Sequence, residues 1–285
     1  MIYKEDVKYP ELLRQILDPP AHLYYKGEWD ENLFRNCLAV VGSRHMTSYG
    51  RRATEQIVAE VAGTGVTIVS GFMYGIDATA HKAALSANGK TIAVMPCGIE
   101  RIHPEYQKDL YEEIVTSGGL VVSEWDGDAM PLLWTYPKRN RIVAGLAKAT
   151  LVVEAGLESG SLITAEFAKK FGRKVFAVPG PITSEVSKGT AKLLQEGASL
   201  VQSASDILAF YEMKPGLTHI GSNSKGELEA NPLEKKILET LQRESLEVDL
   251  LARTLEVSVS ELGQFLSLME LQGSISQEGG KYYVN

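Results

Sequence analysis

The chain has 285 residues, of which 44% are hydrophobic and 23% charged, and its formal net charge is −7. These values are typical of a globular protein of about two domains, and no apolar run approaches the roughly 20 residues that span a bilayer. The acidic balance argues against a protein that coats duplex DNA through its overall charge, so nucleic-acid binding would need a local basic patch. No signal-peptide pattern opens the sequence, and Cys37 and Cys97 lie beside apolar runs. We therefore expect buried free thiols and a cytoplasmic location.

The first 36 residues form a short lead-in segment, which we expect to pack on the following domain as an appendage. From residue 37 to about 212, short runs rich in Val and Ile alternate with stretches of helical periodicity, as in βαβ units. The predicted strands are 38–41, 66–70, 91–95, 120–123, 151–154 and 174–178. Because these runs are apolar at nearly every position, they predict strands buried on both faces. The expected fold is α/β, with a Rossmann-like, doubly wound parallel sheet.

Loops made of small residues follow several of these strands, at the sheet edge where such folds bind ligands. The loop 42–44 is Gly-Ser-Arg, which combines a tight turn, a hydroxyl and a guanidinium fork suited to phosphate. The loop 71–77 begins with Gly71, and 159–161 is Ser-Gly-Ser at a helix start, either a phosphate cradle or an ordinary cap. Turn chemistry alone explains any one of these loops. Their occurrence on one edge indicates a single polyanion site.

A basic run, Tyr-Pro-Lys-Arg-Asn-Arg at 136–141, packs three cations into four positions of an acidic chain. Such a local density of positive charge is where a phosphate backbone would be held. The cations cannot all point the same way, so we expect at least one to face the bound strand and one to pair internally, with the asparagine bonding to neighbouring backbone. The residues predicted to bind nucleic acid are Gly42, Ser43, Arg44, Gly71, Lys138, Arg139, Asn140, Arg141, Ser159, Gly160 and Ser161.

Asp77 and His81 are four residues apart, on one face of a predicted helix. This spacing allows an acid–base pair, and it equally suits a hydrogen-bonded structural Asp and His near a helix N-terminus.

Beyond residue 212 the composition changes. The stretch 213–231 is rich in Gly, Ser and Asn and predicts a flexible linker. Amphipathic patterns at 233–241, 248–255 and 259–271, followed by a hairpin around Gly279 and Gly280, predict a winged-helix-like domain over 232–285. Its last helix would normally enter a major groove, but here it contains Glu261 and Glu270 and no Lys or Arg. A protein-contact role and a purely structural role are the alternatives to duplex binding.

The motifs taken together resemble the DNA-processing protein A (DprA, also called Smf) family over roughly residues 37 to 210. The resemblance lies in Gly-Ser-Arg at 42–44, Ser-Gly with Gly-Ile-Asp at 70–77, Pro-Lys-Arg-Asn-Arg at 137–141, Ser-Gly-Ser-Leu-Ile-Thr-Ala at 159–165 and Val-Pro-Gly at 178–180. It implies an extended Rossmann-like domain that binds and protects single-stranded DNA and helps to load a RecA-type recombinase in natural transformation. It also implies no catalytic activity, no cofactor and no metal, with Arg44 and Lys138 or its neighbours in the basic pocket. The sequence departs from the family pattern at Pro96, His103 and Ala191.

The segment 189–201 resembles the self-pairing surface of that family, which implies a homodimer through Leu193, Leu194 and Leu200. The alternative is that these leucines pack a helix on the sheet.

Two enzyme classes are the alternatives to this interpretation. A nucleoside-monophosphate phosphoribohydrolase of a related Rossmann variant would need a Pro-Gly-Gly-x-Gly-Thr-x-x-Glu turn, which the sequence lacks. A dinucleotide dehydrogenase would need Gly-x-Gly-x-x-Gly after the first strand, where this chain has Gly-Ser-Arg-His-Met-Thr. A nucleotide-binding enzyme of the first class remains the alternative function.

Overall fold

The computed structural model describes residues 1–214, 232–271 and 273–284. The chain divides into two compact units, Met1–Ile220 and Gly221–Asn285. Apart from its first two positions, the predicted linker 213–231 lies outside the described residues. Over the described ranges, no helix is both long and apolar enough to cross a membrane.

A nine-stranded sheet forms the centre of the first unit. Its strands are Ile2–Tyr3 (β1), His22–Lys26 (β2), Cys37–Val41 (β3), Thr67–Ser70 (β4), Thr91–Val94 (β5), Leu120–Ser123 (β6), Ala149–Val152 (β7), Lys174–Ala177 (β8) and Ser199–Leu200 (β9). Their spatial order is β1-β2-β6-β5-β4-β3-β7-β8-β9. Strands β3 to β9 pair in parallel. The six predicted strands are β3 to β8, which confirms the predicted α/β fold.

Helices cover both faces of this sheet. They are Glu11–Arg14 (α1), Ser48–Gly63 (α2), Ile76–Ser86 (α3), Lys108–Thr116 (α4), Thr135–Leu146 (α5), Gly160–Lys170 (α6), Lys188–Gln195 (α7) and Ala204–Phe210 (α8). Successive residues of a strand face opposite sides. Accordingly, Leu38 and Val40 of β3 share one apolar core with Ile57 of α2, whereas Ala39 shares another with Ile142 of α5. This double burial is why the strands have apolar residues at nearly every position.

The first 36 residues contribute two strands to the main sheet. The prediction that they form an appendage packed on the domain is therefore wrong. Strand β2 pairs antiparallel with β6, and β1 pairs with β2. Leu13 of α1 and Leu23 of β2 are fully buried in the main core. No strand was predicted here because only one of the five residues of β2 is buried. A strand with polar, half-exposed positions lacks the apolar run that marks the strands at the centre of the sheet.

The leucines of the segment 189–201, which were predicted to form a dimer interface, differ in their burial. Leu193 is 4% exposed and belongs to the main core. It therefore packs α7 on the sheet, and its prediction as an interface residue is wrong. Leu194 is half-buried against the same core, while Leu200, on the outermost strand β9, is 47% exposed.

The second unit contains the predicted three helices and hairpin. They are Pro232–Arg243 (α9), Val248–Leu255 (α10), Val259–Leu271 (α11), Ile275–Glu278 (β11) and Lys281–Val284 (β12). One further short strand, Leu246–Glu247, which we number β10, pairs with β12 and makes a three-stranded sheet. Ile237, Leu251 and Leu262 are fully buried at its centre.

Candidate nucleic-acid interface

A cleft of about 510 Å³ opens at the carboxyl ends of β3, β4 and β7. At this point the strand order reverses, because β3 has β4 on one side and β7 on the other. Sheets of this kind bind their ligands at such a reversal. The predicted residues Gly42, Ser43, Arg44, Gly71, Arg139, Asn140, Ser159, Gly160 and Ser161 line the cleft, and Lys138 and Arg141 do not.

The turn after β3 is held by close packing against α3 and by hydrogen bonds. A Cβ at Gly42 would lie 2.6 Å from the side chain of Ile76, so only glycine lets the turn pass this close to α3. The N–H of Ser43 donates to the carbonyl of Glu154 at 2.7 Å, and its hydroxyl accepts from the N–H of His45 at 3.1 Å. These contacts hold the turn and leave Arg44 exposed at the mouth of the cleft.

The guanidinium of Arg44 lies between two tyrosine rings. Its central carbon is 5.2 Å from the ring centroid of Tyr136 and 5.9 Å from that of Tyr74. The hydroxyl of Tyr136 is 2.8 Å from Nε2 of His103. Within the described residues Arg44 forms no ion pair. Its donors are therefore available to an anionic ligand, and the faces of the two rings attract its positive charge.

The basic run lies in the first turns of α5, where proline is tolerated because the first N–H groups of a helix have no intrahelical partner. Successive helical residues point about 100° apart. The four side chains from Lys138 to Arg141 therefore leave the helix in four directions. This geometry, rather than local charge density, decides what each of them contacts.

Lys138 lies at the protein surface, and Asn140 lies where α5 meets α6. Lys138 is exposed, with its ammonium 3.8 Å from a carboxylate oxygen of Glu124 and 5.9 Å from the ring centroid of Trp134. Asn140 donates from its amide to the carbonyl of Gly160 at 3.2 Å, as expected of a side chain that bonds to neighbouring backbone. It links the start of α5 to the start of α6.

Arg139 points into the protein instead of toward solvent, so its prediction as a phosphate ligand needs correction. It is 2% exposed, and one of its terminal nitrogens donates to the carbonyls of Gly71 and Val94. Burial lowers the pKa of Arg139 to about 10, an effect that the neighbouring Asp77 opposes. Burial likewise raises the pKa of Asp77, and Arg139 opposes that shift. Both residues line the cleft.

Arg141 is also buried and takes no part in the cleft. It donates to Glu124 at 2.6 Å and to Asp18 at 3.0 Å, and only 4% of it is exposed. Two carboxylates already satisfy its charge, which corrects its prediction as a DNA ligand. The contact with Asp18 ties α5 to the N-terminal segment, a partner that local sequence could not indicate.

Asp77 and His81 have separate partners, so the structural interpretation of this pair holds. His81 is fully buried, with Nδ1 2.7 Å from the hydroxyl of Thr91. Burial lowers the pKa of His81 to about 3, which keeps the ring neutral at pH 7. Asp77 accepts a hydrogen bond from the N–H of Met73 at 3.4 Å instead. Over the described residues, no cluster of three or more His, Cys, Asp or Glu is arranged to hold a metal ion.

The Ser-Gly-Ser loop starts α6 at the side of the cleft. The hydroxyls of Ser159 and Ser161 are 2.8 Å apart, and Ser159 also accepts from the N–H of Ser161 at 3.4 Å. A Cβ at Gly160 would meet no atom within 4 Å. The loop is thus an N-cap with open space above it, and both interpretations of the sequence are compatible with this geometry.

Two aromatic residues of the site, Tyr74 and Tyr136, were missed from the sequence. Tyr136 is the first residue of the basic run, and Tyr74 lies between Gly71 and Gly75. Of that loop, only Gly71 was predicted to bind nucleic acid. The usable signal was an aromatic side chain within each predicted ligand loop, because exposed aromatics beside cations are typical of single-strand binding sites.

The fold and the cleft define a Rossmann-like α/β protein whose crevice presents an arginine that has no ion-pair partner among the described residues. Residues 1–212 match the family model for DNA recombination-mediator protein A, and residues 224–281 match the DprA winged helix domain. The chain therefore belongs to the DNA recombination-mediator protein A (DprA/Smf) family, which the sequence motifs had indicated.

Relatives support the assignment. Protein Smf of Synechocystis is 33% identical over 98% of this chain and 78% of its own length. The structure of DNA processing protein A from Streptococcus pneumoniae is 43% identical, covers 72% of this chain and 71% of that chain, and superposes with a TM-score of 0.67. The structure of DNA processing protein A from Helicobacter pylori, described for its unique single-stranded DNA binding mode, is 31% identical to this chain. It covers 72% of this chain and 93% of that chain, with a TM-score of 0.65.

Proposed function

We propose that this protein binds single-stranded DNA in the cleft and helps to load a RecA-type recombinase on it during DNA uptake and natural transformation. The observation that carries the proposal is the exposed Arg44, which has no acidic partner among the described residues and stands at the mouth of a crevice lined by glycine and serine. The single-stranded DNA binding described for the Helicobacter pylori relative supports it. The role is one of binding rather than catalysis, in the cytoplasm, without cofactor or membrane.

In the proposed complex, Arg44 donates charge-assisted hydrogen bonds to one phosphate, and the positive end of the α6 helix dipole attracts another. At Gly160 a Cβ would meet no atom within 4 Å, which leaves room for the DNA backbone to approach closely. Contacts of this kind hold the strand without reading its sequence. The glutamate at position 158, which also lines the cleft, disfavours anions on that side.

Isothermal titration with AMP, NAD and a short oligothymidylate separates this function from the nucleotide-enzyme alternative. We expect heat from the oligothymidylate at concentrations where the two nucleotides give none. Saturable binding of AMP in preference to the oligonucleotide would contradict the proposal and favour a phosphoribohydrolase-like enzyme.

The salt dependence of binding distinguishes Lys138 from Arg141. The logarithm of the affinity for a single strand falls with the logarithm of salt concentration, and removing one cation that neutralises a phosphate makes the slope shallower by about 0.7. We expect this change in Lys138→Ala, because Lys138 is exposed, its neighbours in sequence line the cleft, and its long 3.8 Å ion pair with Glu124 can give way to a phosphate. Arg141→Gln should leave the slope unchanged, because Arg141 is paired internally. A weaker Lys138→Ala variant with an unaltered slope would mean that the effect is structural.

Removal of the second unit should leave single-strand affinity within about twofold, because every cleft residue precedes it. Residues 231–285 contain five Lys and Arg against nine Asp and Glu, which gives them little attraction for DNA. Truncation after residue 214 is preferable to an earlier stop, because Tyr211 and Met213 pack on the first unit. Fluorescence anisotropy of labelled oligothymidylate measures the change. A tenfold loss would show that the winged helix contributes to binding.

We also propose a homodimer, in which two clefts act on one strand through effective concentration. Leu194 and the exposed Leu200 are its candidate contacts, on α7 and the outermost strand β9. Leu194→Arg should give a monomer by light scattering. It should weaken the binding of long oligonucleotides more than the binding of short ones. Leu17→Arg, at a leucine that is 85% exposed, is the control. A wild-type protein that is monomeric at on the order of tens of micromolar would contradict the dimer.

A further inference from the structure

The loop 71–75 is held in place along its length. The carbonyl of Gly71 accepts from Arg139, and the carbonyl of Phe72 accepts from the buried amide of Gln107 at 3.0 Å. The N–H of Met73 donates to Asp77 at 3.4 Å. The loop therefore has a defined conformation before any ligand arrives.

The backbone of this loop is left-handed at two places. Phe72 has a φ of +59°, a conformation that is unusual for a bulky side chain, and its ring is fully buried. Gly75 has a φ of +83°, and a Cβ there would lie 2.3 Å from the carbonyl oxygen of Ser43. Between the buried ring and the glycine, the chain turns the intervening Tyr74 outward.

Tyr74 is 36% exposed, and its described contacts are with residues of the cleft rim. Its ring centroid is 5.9 Å from the guanidinium carbon of Arg44 and 5.9 Å from the imidazole centroid of His45, at an interplanar angle of 66°. Neither contact buries the ring. A rigid loop that presents a half-exposed aromatic beside an exposed cation has the composition of a stacking platform.

We propose that Tyr74 forms a stacking subsite for one nucleobase of the bound strand, next to the phosphate that Arg44 holds. The inference rests on the proposed function and extends it from the backbone to the bases. Every base has a π-face, so the subsite accepts any of the four. Because the loop is already ordered, little conformational freedom is lost when the base stacks.

The test is a single abasic position moved through a short oligothymidylate, with binding measured by fluorescence anisotropy for wild type, Tyr74→Ala and Tyr74→Phe. With the intact oligonucleotide, we expect Tyr74→Ala to bind about fivefold weaker or more, the lower end of a base–aromatic stack, and Tyr74→Phe to bind like wild type. Tyr3→Ala is the matched control, since Tyr3 is 50% exposed on the outermost strand β1.

The abasic series identifies the origin of the effect. In wild type, removal of one particular base should weaken binding, and in Tyr74→Ala removal of the same base should have no further effect. If each abasic position costs both proteins the same, Tyr74 stacks no base and acts only through Arg44, which overturns the inference. Failure of the proposed function has a different signature, because Arg44→Ala would then bind oligothymidylate as tightly as wild type.

Discussion

Replacement of Arg44 by alanine is expected to weaken oligothymidylate binding by about 1.5 to 3 kcal/mol, the range for hydrogen bonds to a charged group. Arg44 is exposed, follows β3 directly and forms no ion pair with any described residue. The weaker binding should therefore come from the absent guanidinium, with the free energy of unfolding unchanged. Titration of labelled oligothymidylate at fixed salt measures the first quantity, and urea unfolding measures the second.

The chain offers a matched control at the other end of the same strand. Arg35 is also exposed, but it precedes β3 and so lies at the amino edge of the sheet. Arg35→Ala removes the same charge and should bind DNA almost as wild type does. Equal losses in the two variants would mean that binding follows overall charge rather than the cleft. A folded Arg44→Ala variant of unchanged affinity would remove Arg44 from the site.

Arg139→Met is expected to destabilise the first unit by about 1 to 3 kcal/mol, because it removes the buried donor to two backbone carbonyls and the positive charge that favours the ionised carboxylate of Asp77. The methionine keeps the apolar stem but makes none of the hydrogen bonds to Gly71 and Val94. Chemical denaturation at neutral pH measures the loss, which is a property of the fold and not of DNA binding.

The pH dependence of this variant has a definite sign. Burial raises the folded-state pKa of Asp77 above its unfolded value, and Arg139 opposes that rise. Without Arg139 the pKa rises further, so the folded variant is penalised at a pH above that pKa, where the carboxylate is charged. The penalty should shrink as the pH falls through the raised pKa. Asp77→Asn added to Arg139→Met should recover part of the stability at neutral pH, and a double variant no more stable than the single one would contradict the explanation.

Central strands were predictable from sequence, and edge strands were not. Strands β3 to β8 are buried on both faces, so each one is an apolar run that can be recognised alone. In contrast, β1 and β9 contain two residues each, and β2 is His-Leu-Tyr-Tyr-Lys with a single fully buried residue. Such strands form because a neighbour offers hydrogen-bonding groups, a cause that local composition does not contain.

The site was predictable as a set of loops, but the role of each side chain was not. Glycine and serine at 42–43 and 159–161 mark a ligand edge because their chemistry is local. Whether a cation faces solvent or a buried carboxylate depends on helix phase and on distant partners. Arg141 illustrates this, because Asp18 lies 123 residues away in the chain.

The four consecutive residues 138–141, in the first turns of α5, have unrelated structural roles. A substitution at position 138 alters surface charge, one at 139 the stability of the first unit, one at 140 the junction with α6, and one at 141 the attachment of the N-terminal strands. A deep mutational scan should therefore show tolerance that changes abruptly from one position to the next, with different phenotypes at adjacent sites.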